Sequence, residues 1–262
     1  MIPKDYLFSA FLITLTAMFA SAQSPDWENQ TIFRINKEAP HCVKMPFPSK
    51  EAAMTQQRMD SPWCKLLNGQ WKFNWVAHPD QRPKDFFRAD FDATQWKMIK
   101  VPSNVELEEY GTPIYVNIRY PFKKNPPLVM GEPPKDYTTY KERNPVSSYI
   151  KKFTLADDWK SRQTFITFNG VESAFYLWCN GKKVGYSQDS RTPAEFNLTP
   201  YLIKGENSIA VEVYRYSDGS YLECQDFWRL SGIFRDVYLT STPNLDLRDF
   251  AVNATLDKMG KG

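Results

Sequence analysis

The sequence has only two histidines, His41 and His78, and four cysteines, none of them in a Cys-x-x-Cys pair. A zinc site built from the usual imidazole and thiolate spacings is therefore not expected. Charge of one sign is also missing. Thirty-three basic residues face thirty acidic ones, a net of +3. Such a near-balance leaves no footprint for nucleic acid or for an anionic membrane surface. No segment shows a convincing helical period, and beyond the first two dozen residues no stretch is apolar enough to span a bilayer. Glycine is sparse, eleven residues against nineteen prolines, which points to many irregular connections between short strands.

Aromatic side chains are plentiful: eight Trp and fourteen Tyr, in a chain that is 42% hydrophobic and 15% aromatic. That is enough to fill a core, which excludes a disordered chain as the first reading. Aromatic rings suit the half-buried surface of a β-sheet, and their faces also suit the C–H faces of sugars.

The N-terminus reads as a targeting segment over residues 1–22. Lys4 supplies a positive start, partly cancelled by Asp5, and Leu7 to Phe19 is almost wholly apolar. Ala20-Ser21-Ala22 then forms a small-residue cleavage site, which makes Gln23 the expected first mature residue. The apolar run is short for a bilayer span of about 20 residues, so cleavage is expected over anchoring. The mature chain is expected to be exported, to the periplasm or outside the cell. Export permits disulfides, and both a Cys42–Cys64 bridge and free thiols stay open.

Residues 23–62 read as a polar, proline-dotted arm fixed by a few aromatics such as Trp27 and Phe33. From 63 to 242 the pattern is that of an antiparallel β-domain. Gly69 to Val76 alternates apolar with polar residues, and Trp96 to Val101 is a second short strand. A long irregular stretch, Pro102 to Asn144, follows; loops of that length are usually functional or contact a partner. Strands are expected at Ser148–Leu155, Gln163–Asn169, Ser173–Cys179, Lys182–Ser187, Asn207–Tyr214 and Ile233–Leu239. Asn180-Gly181 is a strong hairpin signal, because both residues tolerate positive φ. The expected fold is all-β, a jelly-roll sandwich. Residues 243–262 read as a linker at Thr242-Pro243-Asn244 and then an alternating strand from Leu247 to Leu256. A lone strand cannot bury itself, so it either pairs with the main domain or opens a second domain that the sequence does not contain, and the second is expected.

A neutral polar ligand such as a sugar needs short hydrogen-bonding groups on rigid loops. Two loops offer them. Val101-Pro102-Ser103-Asn104 leaves a strand with Pro102 stiffening the backbone before Asn104. Gly185 to Pro193 leaves the hairpin with Gln188, Asp189, Ser190, Arg191 and Thr192 in succession. An ionised Asp189 can accept two hydroxyls or bind a hard cation. Both Asn104 and Asp189 could instead only close Asx-turns, and on spacing alone that turn-forming reading is favoured. In the charged, aromatic run from Ser217 to Val237, Arg229 and Arg235 could pair with Asp218, Glu223 or Asp226, so the residue types fit scaffolding as well as binding.

Tyr176 to Gly181, Gly185 to Phe196 and Asp218 to Val237 closely resemble β-galactosidases of the family-two glycoside hydrolases. Pro102-Ser103-Asn104 and Pro113 to Asn117 agree, and the resemblance runs from about Trp27 to Val252. It implies a sugar-contacting first domain followed by an immunoglobulin-like domain and a (β/α)8 barrel with both catalytic carboxylates. It also implies that Asn104 hydrogen-bonds the galactose, and that Asp189 contacts galactose and ligates sodium with barrel residues. Magnesium belongs to the barrel domain. The implied reaction is hydrolysis of terminal β-D-galactose from β-D-galactosides through a covalent intermediate.

The sequence departs from that family in one respect. A retaining glycosidase needs two carboxyl groups about 5–5.5 Å apart, and the resemblance places the acid/base glutamate directly after an asparagine. No Asn-Glu pair occurs here, so no catalytic residue is assigned. The implied partners are a β-galactoside and the C-terminal domains of the same enzyme, and a homo-oligomer of the complete enzyme stays open. The rival readings are a free-standing carbohydrate-binding module and a glycosidase acting on glucuronides or mannosides.

Overall fold

The protein is described by a computed structural model over residues 24–261; the expected targeting segment lies outside the described residues. Fifteen strands are present among them. In chain order they are β1 (Arg34–Ile35), β2 (Cys64–Leu66), β3 (Gly69–Val76), β4 (Lys97–Val101), β5 (Ile114–Val116), β6 (Val146–Thr154), β7 (Gln163–Phe168) and β8 (Val171–Glu172). Then come β9 (Ala174–Cys179), β10 (Lys182–Ser187), β11 (Ala194–Asn197), β12 (Glu206–Tyr214), β13 (Phe227–Arg229), β14 (Gly232–Ile233) and β15 (Val237–Thr242). A seven-stranded sheet in the order β1-β10-β9-β12-β6-β3-β4 packs on a four-stranded sheet β11-β7-β15-β2. Strand pairing is antiparallel throughout, with crossovers between the sheets, which makes the domain a jelly-roll sandwich.

Alternation drives the layering. Trp71 and Phe73 of β3 point into the sandwich, where they meet Tyr149, Ile166, Leu177, Val211 and Leu239. Each such buried side chain contributes about 1.5–3 kcal/mol. The central strand β12 goes further than its apolar face of Ile209, Val211 and Val213 required. Ala210, Glu212 and Tyr214 on its other face are buried as well. Two segments cover that outer face. Phe86 and Trp178 close over Ala210, and Trp27 of the arm stacks on Tyr214.

The Asn-Gly hairpin forms as expected between β9 and β10, with Asn180 at φ 51° and Gly181 at φ 81°. The Asn180 side chain also accepts from Ser208 N–H and donates to Tyr201 O, tying the turn to its neighbours. Two short helices are present, α1 (Lys50–Thr55) and α2 (Ser220–Glu223). The first, capped by Ser49, buries none of its residues, so it imposes no period on the sequence.

Two details differ from expectation. Phe33 is 56% exposed and does not anchor the arm; Trp27 does, and β1 pairs with β10. Leu247–Leu256 forms no strand, because no second strand is available to complete a ladder. Its start lies along the arm instead: Lys44 pairs with Asp246, and Asp249 accepts Cys42 N–H. All four cysteines are free thiols.

Candidate functional site

The Asp189 loop is built by alternating burial. Gln188 and Ser190 are buried, and Asp189 between them is exposed at φ 79°. That left-handed conformation, which aspartate tolerates better than most residues, turns the carboxylate outward. Gln188 donates to Tyr186 Oη at 2.8 Å and to Asp218 Oδ1 at 2.7 Å. On the other side, Glu223 of α2 accepts from both Ser190 N–H (2.7 Å) and Ser190 Oγ (2.6 Å). Arg191 reaches Glu172 of β8 at 2.7 Å, and its guanidinium lies over the rings of Phe227 and Phe234. The Asp189 carboxylate accepts the Thr192 hydroxyl, a side-chain contact rather than the backbone bond of an Asx-turn.

Asn104 follows a cis Val101–Pro102 peptide. The backbone on either side of it is fixed: Ser103 N–H donates to Ile233 O at 2.9 Å, and Val105 N–H donates to Ser231 O at 3.0 Å. Ser231 is itself gripped by the buried Glu106, whose two oxygens accept Ser231 N–H and Oγ. Glu106 is paired with Arg215 at 3.2 Å, but burial still pushes its carboxyl above the ordinary range. Asn104 precedes a short 3-10 turn, yet its side chain makes no capping bond. The turn is therefore shaped without the Asn104 amide group.

The two loops are linked through the β8–β14 ladder: Ser231 and Ile233, beside Gly232, hold the Asn104 turn, and Glu172 holds Arg191 of the Asp189 loop. A cavity of about 670 Å³ opens beside Asp189, with Phe33, Lys37 and His41 of the arm on one wall and Glu195 and Tyr238 of the smaller sheet on the other. Asn104 is not among its lining residues. Lys37 is the residue sequence reading missed. Burial lowers its ammonium below the ordinary lysine range, against the opposing pull of Asp189. Its position in the arm, far from Asp189 along the chain, gave no signal. Glu195 accepts from Arg248 and Thr167 and contacts His41, so it is spent on structure.

The pairing of Arg229 and Arg235 with carboxylates that the sequence allowed does not occur. Arg229 donates to the carbonyls of Phe227 and Val116, and Arg235 to those of Arg191 and Asn169. Neutral carbonyls take the terminal nitrogens of these guanidinium groups, the buried Arg229 Nε staying without a partner among the described residues, while Asp226 accepts Tyr115 Oη and Glu223 is committed to Ser190. No cluster of three or more potential metal ligands is present among the described residues. Asp189 by itself offers one hard carboxylate.

The jelly roll thus presents the Asn104 amide and the Asp189 carboxylate from rigid loops, short polar groups of the kind a neutral polar ligand needs. The profile described as glycosyl hydrolases family 2, sugar binding domain, matches residues 64–243, and the chain belongs to that family. It is 49% identical over 234 residues to a β-galactosidase of Priestia megaterium, covering 89% of this chain and 22% of that protein. It is 48% identical over 232 residues to a β-galactosidase of Psychromonas ingrahamii, covering 88% and 21%. The chain thus spans about a fifth of the length of these curated relatives. Among solved structures it is similar to a Bacteroides uniformis β-glucuronidase, with a TM-score of 0.51 and 25% identity over 71% of this chain and 19% of that one. A β-glucuronidase from an uncultured Clostridium shares the fold, with a TM-score of 0.54 and 24% identity over 74% of this chain and 31% of that one.

Proposed function

We propose that this chain is the sugar-contacting wall of a β-galactosidase active site, and that the complete enzyme hydrolyses terminal non-reducing β-D-galactose from β-D-galactosides. The observation that carries this reading is the pairing of an exposed Asp189 with an Asn104 whose side chain is not used by its own turn. The identity to β-galactosidases supports galactosides over glucuronides, since the similar β-glucuronidases stand at about half that identity. The residues present bind and orient; the two carboxyl groups that move protons and attack the sugar belong to further domains of the enzyme. Sodium at Asp189 fits the chemistry of an exposed carboxylate oxygen, with its other ligands supplied by those domains. The segment over residues 1–22 directs export.

The test is a chimera in which this segment replaces the homologous part of the Priestia megaterium β-galactosidase. It is expected to hydrolyse a chromogenic β-galactoside. Asn104→Ala and Asp189→Asn are each expected to raise KM several-fold with the melting temperature unchanged, about 1–3 kcal/mol of lost hydrogen bonding to the sugar. Unaltered KM in both variants refutes the assignment.

A further inference from the structure

The sugar-site reading leaves Glu172 unused. It is a carboxylate on a two-residue strand, nearly enclosed, at the point where the two ligand loops meet. Across the β8–β14 ladder Glu172 stands opposite Gly232, and Val171 opposite Ile233. The residues flanking Gly232 supply the carbonyls, Ser231 O and Ile233 O, that hold the amides on either side of Asn104. The turn packs so closely there that a Cβ on Gly232 would lie 2.9 Å from Val105 Cγ1 and 3.2 Å from Ser103 O. In the other direction the Glu172 carboxylate holds Arg191, two residues after Asp189. Arg191 O in turn accepts from Arg235, which follows β14 by two residues.

We propose that Glu172 is a positioning residue that sets the Asn104 turn and the Asp189 loop together, its backbone fixing one and its carboxylate the other. The proposal rests on the reading of Asn104 and Asp189 as sugar contacts. Neither residue touches Glu172, so its effect travels through the ladder to Asn104 and through Arg191 to Asp189. The surroundings make the link sensitive to protonation. Burial is the main influence on the carboxyl and pushes it up to about 7; Arg191 and Arg229 pull it down, and Glu223 and Glu106 push it further up. Cys224 of α2 and Arg215 beyond β12 also feel its charge. Above neutrality the ionised carboxylate holds Arg191 firmly. Below it the neutral acid loosens the ion pair and β8 relaxes as the charge is lost, so the Asp189 side of the link slackens first and the Asn104 side follows through the ladder.

The test uses the full chain, isotope-labelled and titrated by NMR from about pH 5 to about pH 9. The Asn104 side-chain amide and the Asp189 backbone amide are expected to shift with one midpoint, shared with the Glu172 carboxyl carbon. Glu172→Gln should remove that midpoint from both. Arg191→Ala breaks the link at a more exposed side chain, which guards against loss of folding. It should remove the midpoint from Asp189 and leave it at Asn104. In the chimera, Glu172→Gln should flatten the pH dependence of KM for the β-galactoside, and Glu172→Asp should partly restore it. Separate midpoints for the two amides, or a shared midpoint that survives Glu172→Gln, overturn the positioning role. Silence of Asp189→Asn in the chimera overturns the sugar-site reading instead, and does not alter the titration of the chain, so the two failures are told apart.

Discussion

Trp27 lies stacked on Tyr214, with ring centroids 5.1 Å apart and planes 23° apart. Tyr214 ends β12, the strand at the centre of the larger sheet. The arm is therefore part of the sandwich. It buries the outer face of β12 and brings Lys37 towards Asp189. Removing the ring leaves a large void beside Tyr214. Trp27→Ala is expected to destabilise the domain by about 3–5 kcal/mol. Phe33→Ala, six residues along the same arm but more than half exposed, should change stability by less than about 0.5 kcal/mol. Urea denaturation of the two variants checks the pair, and equal losses would contradict the anchoring role of Trp27.

Gly185 sits where the register of β9 and β10 shifts, beneath the arm strand. A Cβ there would lie 2.3 Å from Ile35 O and 2.6 Å from Phe196 Cε1. The nearest obstacle is backbone, so the arm must move away rather than a side chain rotating. Gly185→Ala should release β1 from β10 while leaving the sandwich folded. Hydrogen exchange should show lost protection at Ile35 and Gln188, with the amides of β12 still protected. Unchanged exchange in the arm would show that the close approach does not hold β1 in place.

Much of the sandwich was legible in the sequence because β3, β6, β7, β9, β10 and β12 are long enough to show alternation, and Asn180-Gly181 marks a turn that few other pairs can make. The strands that assemble the site were not legible. β1, β8 and β14 have two residues each, too few to carry a period, and they form only because the chain is already packed around them. Asn104 and Asp189 could be picked out as loop residues. What the sequence could not convey is that Asn104 leaves its turn uncapped and that Asp189 is lifted between two buried neighbours. Arg229 and Arg235 misled for the opposite reason: charge pairing is visible in a sequence, whereas backbone carbonyls that satisfy a guanidinium are not.

Glu172 also makes stability depend on pH. Burial raises its carboxyl from the ordinary 4.5 to about 7, so the folded state binds this proton more tightly than the unfolded chain. Its contribution to stability is fully present below about pH 4.5 and is lost as pH rises through about 7. Glu172→Gln mimics the protonated acid. Wild type and variant should therefore be about equally stable near pH 5, and the variant more stable near pH 8 by on the order of 3 kcal/mol. Thermal melts at the two pH values check this. A variant less stable near pH 8 would mean that the Arg191 ion pair outweighs the burial of the charge.

Asp189 separates a structural aspartate from a cation ligand. Its φ of 79° is one that asparagine tolerates equally well, and an asparagine carbonyl can still accept the Thr192 hydroxyl. Asp189→Asn therefore preserves the loop and keeps one carbonyl acceptor, but removes the negative charge and turns one acceptor oxygen into a donor. A hard monovalent cation prefers an anionic oxygen, by analogy with the oxygen-ligand preference of other hard cations. In the chimera, KM for a β-galactoside is expected to fall as sodium replaces potassium at constant ionic strength, and Asp189→Asn should abolish that dependence. Glu223 supplies the control, because it fixes the same loop with both carboxylate oxygens committed to Ser190. Glu223→Gln keeps an acceptor for Ser190 and should retain the sodium dependence even if KM rises. Sodium dependence that persists in Asp189→Asn would return this carboxylate to a turn-forming role, because the substitution takes its charge away.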